Sequence, residues 1–173
     1  MSQQALHLIA QAKQTRATRL DLGNCALTEL PDALFELTWL EELIIGGYQI
    51  DNEGEENNIK LFNPKIKLLR GLKKLIINRQ KALSDLTPLT NLTALQYLDV
   101  NNTQVSDLTP LTNLTALQTL DVQSTQVSDF GEQNIQKYAH QFFMSDSVVY
   151  ADIIETQHGT QYIDKRPYFC RQL

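Results

Sequence analysis

Two cysteines in 173 residues, Cys25 and Cys170, are too few and too far apart to form a disulfide framework, and two reduced thiols are the expected state. No run approaches the about 18 continuous apolar residues that would span a membrane. The opening MSQQALHLIAQAKQTRATRL lacks the basic n-region, the long unbroken apolar run and the small-residue cleavage site of a secretory signal, so a cytoplasmic location is expected. Positive charge is also short: 15 Lys and Arg stand against 20 Asp and Glu, a net charge of −5. That balance argues against a general nucleic-acid binder. The histidines, His7, His140 and His158, fall in no H-E-x-x-H or H-x-x-x-H pattern, and there is no C-x-x-C, so no metal site is signalled. A G-x-S-x-G elbow is absent, and the DNEGEENN run has the wrong spacing for a calcium loop. Pairing Cys170 with His158 or His140 is no more than chance supplies. The expectation is a protein without cofactor, without metal and without enzymatic activity.

What the chain does have is repetition. LSDLTPLTNLTALQYLDVNNTQ from Leu83 is followed by VSDLTPLTNLTALQTLDVQSTQ from Val105, and VSDF opens a third copy. Leu86, Leu108 and Phe130 are equivalent, a period of 22 residues. With leucine or valine doublets at fixed offsets, that period is the signature of a leucine-rich repeat solenoid. The implied fold is α/β: a parallel sheet on the concave face, with short helices or 3-10 turns on the convex face. Such a fold places function on an extended surface.

Three regions follow. Residues 1–16 read as a capping helix, with Ala5, Leu8, Ile9 and Ala12 on one face and Ser2 as N-cap. Residues 17–130 carry the repeats, with strands around Leu20, Leu43, Leu75, Leu98 and Leu120. Leu22, Leu27, Leu30, Leu40, Ile45, Ile50, Ile77, Val100 and Val122 are expected to face inward with them. Pro31, and the Thr87-Pro88 and Thr109-Pro110 pairs, should open the convex segments, each threonine acting as N-cap. The spacing from Leu43 to Leu75 is 32 residues, so about ten are inserted near 51–69 as a surface loop. Cys25 sits in the turn after the first strand, in a structural role. Residues 131–173 form a C-terminal cap and tail. GEQNIQKYAHQFF reads as a helix, and SVVYADIIET and QYIDKRPYF as a β-hairpin about His158-Gly159-Thr160.

The repeats from Leu83 to Phe130 resemble bacterial internalin-type leucine-rich repeats, which share the 22-residue L-x-x-L-x-(L/V) pattern and the SDLTPL turns. LIAQAKQTRATRLDLGNCALTELP resembles the start of the repeat domains of bacterial Roco-type and related cytoplasmic proteins. The resemblance covers roughly residues 5–130 and implies a curved solenoid that recognises protein. The chain departs from it in three ways. Thr103 and Thr125 stand where asparagine is usual, so the ladder must be built differently. The G-x-x-x-x-G-K-[S/T] loop of a Roco GTPase is missing. No secretion signal precedes the repeats.

Alternation along each strand sends the residues flanking the leucines onto the concave surface. The candidate protein-binding residues are therefore Asp21, Ile44, Lys74, Ile76, Tyr97, Asp99, Asn101, Thr119 and Asp121. Their middle column, Asp21, Ile44, Ile76, Asp99 and Asp121, would set two exposed isoleucines beside Tyr97 within an acidic rim. The alternative is that the isoleucines are plain strand formers or are covered by the inserted loop. The expected partner is a protein, with neither nucleic acid nor membrane involved, and the chain itself a monomer or weak homo-oligomer. Two other readings are self-association through the tail and effector chemistry in residues 145–173.

Overall fold

The computed structural model describes residues 2–47 and 55–127, together with the strand residues 142–144, 147–149, 151–156 and 159–164. Helix α1 (Gln3–Thr15) opens the chain. The Ser2 hydroxyl accepts from the Ala5 amide at 3.4 Å, and Arg16 ends the helix in the left-handed region while its amide donates to the Ala12 carbonyl. Ala5, Ile9 and Ala12 are buried and Leu8 partly so, covering the end of the first coil as a cap must. The Arg16 guanidinium lies 4.2 Å from the centroid of the Trp39 ring, and the Trp39 indole donates to the Ala17 carbonyl.

Five three-residue strands follow: β1 (Arg19–Asp21), β2 (Glu42–Ile44), β3 (Lys74–Ile76), β4 (Tyr97–Asp99) and β5 (Thr119–Asp121). All pair in parallel, in the register Leu20, Leu43, Leu75, Leu98, Leu120. A column of leucines stacked in this way removes each from water against its neighbours and holds the register, since a slip of one residue would turn every leucine outward. A second inward column, Leu22, Ile45, Ile77, Val100 and Val122, is equally buried. The 3-10 turns η1 (Asp32–Glu36), η2 (Pro64–Leu68), η3 (Thr87–Leu89) and η4 (Thr109–Leu111) return the chain across the core.

The threonines of η3 and η4 do not cap. Each is the first residue of its turn, and the cap comes from the aspartate two places earlier: Asp85 and Asp107 accept from the Thr87 and Thr109 amides, both at 2.8 Å. The hydroxyl and amide of Thr109 hold the Asp107 carboxyl below its usual range. At η1, Pro31 is the residue before the turn rather than its first.

The inserted residues are concentrated. Cys25 follows Leu20 by five residues, whereas the equivalent Asn57 follows Leu43 by fourteen, so nine residues are extra. Glu55 already bridges to Cys25, and Asn57, Ile59, Phe62 and Ile66 are buried in the coil. The excess thus falls between Gly47 and Glu55 rather than across 51–69. Ile59 fills the inward position equivalent to Leu27; Ile50, expected there, lies outside the described residues.

At the far end β6 (Phe142–Met144) joins β5 in parallel and β7 (Ser147–Val149) joins β6 antiparallel, making a seven-stranded sheet. Phe142 and Phe143, assigned to a helix on periodicity, are therefore strand residues, and residues 131–141 of that expected helix lie outside the described set. A hairpin is present as β8 (Ala151–Thr156) and β9 (Gly159–Asp164), with Gly159 and Thr160, expected in its turn, paired as the first residues of β9. Its first arm is shorter than expected, because Ser147–Val149 pairs elsewhere.

Candidate functional site on the concave sheet

The turns that end the strands position the concave side chains, and the coils close their turns by more than one device. Asn24, Arg79, Asn102 and Ser124, each four residues past the strand leucine, take positive φ between 52 and 63°. The residue after each must then satisfy the backbone groups left unpaired by the bend. In coil 2 the equivalent residue is Asn57, which follows Glu56 at the end of the enlarged turn. Its Oδ1 accepts from the Cys25 and Leu27 amides at 3.1 and 2.7 Å, and its Nδ2 donates to the Leu22 and Ile45 carbonyls, both at 2.7 Å. Gln80 does part of the same work one coil on, accepting from the Ile59 amide and donating to the Asn78 carbonyl. Thr103 and Thr125 act only within their own coils, donating to the Val100 and Val122 carbonyls at 2.7 Å. The ladder therefore bridges coils in the first half of the solenoid and becomes a set of local hydroxyl bonds in the second.

Cys25 plays the structural part expected. It is buried, its amide is held by Asn57, and burial pushes its thiol up from the ordinary value, with Asp21 adding to the effect. A raised pKa leaves little thiolate, the reactive form.

The concave columns have the predicted register: Asp21, Ile44, Ile76, Asp99 and Asp121 are direct neighbours across the strands. Their exposure is not as predicted. Ile44 and Ile76 are only 1% and 2% exposed, and neither belongs to the leucine core. The proposed apolar patch is therefore not a solvent-exposed surface. Alternation settles which face a side chain leaves from, but cover over that face settles whether it meets water. Asp21 is exposed, while Lys74, Tyr97, Asn101, Thr119 and Asp121 are half-buried.

The aspartates turn out to have work of their own. Asp21, Asp99 and Asp121 each accept from the backbone amide two residues on, those of Gly23, Asn101 and Gln123, at 2.9, 3.0 and 3.0 Å. These bonds fasten the strand end to the turn, as aspartate does where a chain bends. Asp99 also accepts from Asn78 Nδ2 at 2.9 Å, and it is only 6% exposed. Burial pushes its carboxyl up to about 6, with the neighbouring Asp121 charge adding, against the Asn101 and Asn78 hydrogen bonds. Asn78 Oδ1 has no partner among the described residues and faces Gly46, where a Cβ would lie 1.9 Å from it. Any side chain at Gly46 would displace Asn78, and with it a support of Asp99.

A titration follows from this. The Asp99 pKa in the fold, about 6, is above the ordinary 3.8, so its protonated form is the one the fold favours. Its favourable contribution is complete below about pH 4 and is lost as pH rises through 6, about 3 kcal/mol in all. Asp99→Asn keeps the acceptor for the Asn101 amide and cannot ionise. It is expected to raise stability at pH 7 by an amount of that order and to flatten the profile between pH 4 and 7 in urea unfolding. Parallel profiles for parent and variant would overturn this.

One concave row remains partly open and chemically varied. Arg19 Nε lies 3.3 Å from Glu42 Oε1, Lys74 Nζ lies 3.4 Å from the same oxygen, and Lys74 Nζ stands 5.3 Å from the Tyr97 ring centroid. This row crosses β1 to β4 as cation, anion, cation, aromatic. Arg19 and Glu42 flank the strand leucines Leu20 and Leu43, and the pairing that joins them to Lys74 and Tyr97 needed the register.

Five stacked coils with one leucine column and a convex row of 3-10 turns define a leucine-rich repeat solenoid. A family model for leucine-rich repeats in two copies matches residues 93–136 of the chain. A search of curated proteins returns no match. Among solved structures, the chain is similar to a crystal structure of an internalin from Listeria monocytogenes, with 21% identity and a TM-score of 0.45 over 83% of this chain. It spans 56% of that structure's length. Among the described residues no helix is long and apolar enough to cross a membrane, and no group of three or more His, Cys, Asp or Glu is placed to hold a metal ion.

Proposed function

We infer that this protein is a protein-interaction module that engages a protein partner on its concave sheet. The supporting observation is the row Arg19, Glu42, Lys74 and Tyr97, continued by Thr119: half-buried or exposed side chains of mixed charge and one aromatic, held on rigid strands. Tyrosine with neighbouring charge is the composition of an interface centre and its rim. Asp21, Asn101 and Asp121 border the row. The aspartates contribute shape and negative potential while their own hydrogen bonds keep them in place. Ile44, Ile76 and Asp99 stand in the neighbouring column, two residues along the same strands. A cytoplasmic setting belongs to the same reading, since a buried free thiol at Cys25 suits a reducing compartment.

The test is a capture experiment on lysate, read by mass spectrometry, comparing the intact protein with Lys74→Ala/Tyr97→Ala. The variant should keep its fold, since exposed pairs of this kind contribute about 1 kcal/mol or less each. It is expected to lose a partner that the intact protein retains. Identical partners on both would overturn the concave reading. Ile76→Ala would be a poor probe, because a buried side chain confounds binding with stability.

Self-association has one observation in its favour. The β8–β9 pair forms its own two-stranded sheet, whose two outer edges pair with no other described strand. Such edges are templates for pairing with a second copy.

A further inference from the structure

Residues 57–84 hold eight of the chain's fifteen Lys and Arg and not one Asp or Glu, in a protein whose net charge is −5. The fold divides those eight cations into two sets. Lys65, Lys73, Lys74 and Arg79 are paired with Asp32, Glu41, Glu42 and Glu56. Lys60, Lys67, Arg70 and Lys81 are exposed, and none has an ion-pair partner among the described residues.

Two leucines sit among the second set. Leu61 is 67% exposed and Leu68 44%, the large apolar side chains left in water among the described residues. The repeat register shows that the solenoid does not need them. The buried series Leu30, Phe62, Leu86 and Leu108 places Leu61 where the other coils carry Glu29, Asp85 and Asp107. The buried series Leu37, Leu69, Leu92 and Leu114 places Leu68 where they carry Glu36, Asn91 and Asn113. All six of those polar residues are exposed. Coil 2 thus puts leucine at two solvent positions that every comparable coil fills with a polar side chain, and each leucine directly follows a lysine, Lys60 or Lys67. Leucine facing water gains nothing for the fold, and an apolar spot beside cations without an acidic partner has the chemistry of a contact surface, although Glu29, Glu36 and Asp85 hold the equivalent positions of the adjacent coils.

We propose that the outer surface of coil 2, centred on Leu61 and Leu68, with Lys60, Lys67 and Arg70 of the same coil and Lys81 of the next, docks an acidic peptide segment of another protein bearing apolar anchor side chains. Carboxylates on that segment pair with the four open cations, and its apolar side chains cover the two leucines. A peptide fits better than an anionic membrane because carboxylates stand close to the patch. Asp32 is bound to Lys65 yet its side chain is 66% exposed, and Glu36 is 58% exposed. A flat bilayer would press against both, whereas a peptide can thread past them. The site lies on the opposite side of the coil from the sheet row and is independent of it.

The probe is a set of fluorescein-labelled twelve-residue peptides in which Asp and Glu alternate with Leu and Phe, with Lys-for-acid versions as controls, read by anisotropy on the full chain. The variant is Leu61→Asp/Leu68→Asn, which installs the residues that other coils already carry and so should melt with the parent. A second variant, Lys60→Gln/Lys67→Gln, leaves the leucines in place. The acidic peptides should bind the parent, weaken with salt, and bind each variant about tenfold less tightly, a loss of about 1.4 kcal/mol. Lys74→Ala/Tyr97→Ala should bind them as the parent does, which separates failure here from failure of the concave reading. Equal binding by parent and both variants would overturn the proposal. So would sedimentation with phosphatidylserine vesicles in place of peptide binding, or a dimer that only Leu61→Asp/Leu68→Asn abolishes.

Discussion

Asn57→Ala is expected to destabilise the protein by about 3–5 kcal/mol, more than any other single polar replacement in the solenoid. The Asn57 side chain satisfies two amides and two carbonyls, those of Cys25, Leu27, Leu22 and Ile45. It is itself buried, so water does not readily replace it. Orphaning one buried backbone group costs about 1–3 kcal/mol, and partial relaxation keeps four from adding in full. Asn57→Asp should recover little, because it keeps the acceptor for two amides but loses both donors and adds a buried charge. Urea unfolding measures the loss. Hydrogen exchange at the Cys25 and Leu27 amides should locate it at the junction of coils 1 and 2. A midpoint unchanged from the parent would mean that the bridging role is misassigned.

Leu98→Ala is expected to cost about 2–5 kcal/mol as a core cavity. Leu98 is fully buried at the centre of the leucine column, between Leu75 and Leu120. Each coil of a solenoid depends on its two neighbours, so a void here weakens two interfaces at once. Thermal melting gives the test, and an unchanged melting temperature would mean that Leu98 does not face the core. The tyrosine beside it, Tyr97, points the other way, and its replacement should leave the melting temperature nearly alone. The contrast between two adjacent residues is a direct check on the strand register.

Much of the concave face was legible because a strand has a period of two and the repeats have a constant length. Those two facts place Asp21, Ile44, Ile76, Asp99 and Asp121 in one column before any coordinate is known, and the column is as expected. The sequence left two readings of the isoleucines open, exposed or covered, because an outward direction does not settle exposure. Ile44 and Ile76 leave the sheet on the concave side and are nonetheless buried. The acidic members were misread for a related reason. Asp99 and Asp121 were read as part of an acidic rim, but each is occupied by the amide two residues on.

Asn57 was missed although a signal existed. Cys25-Ala26-Leu27 and Asn57-Asn58-Ile59 share the spacing of a turn residue followed two places later by an inward aliphatic. Reading Ile50 as that aliphatic hid the match, since it kept the usual distance from Leu43 and pushed the insertion downstream. Phe142 and Phe143 failed differently. An apolar pair at the end of a periodic stretch fits a helix or a strand equally well, and pairing with β5 decided for the strand.

The amino-acid sequence alone determined the first five strands, their leucine column, the cap helix and the face from which each residue of those five strands emerges. All of these follow from periodicity and local bonding, which act over a few residues. The tertiary structure decided the rest: which outward residues are covered, which asparagine bridges two coils, which lysines find an acid and which two leucines remain in water. Those outcomes depend on groups brought together across ten to thirty-five positions of chain, as Asn57 is to Leu22 and Ile45, and no local pattern records such meetings.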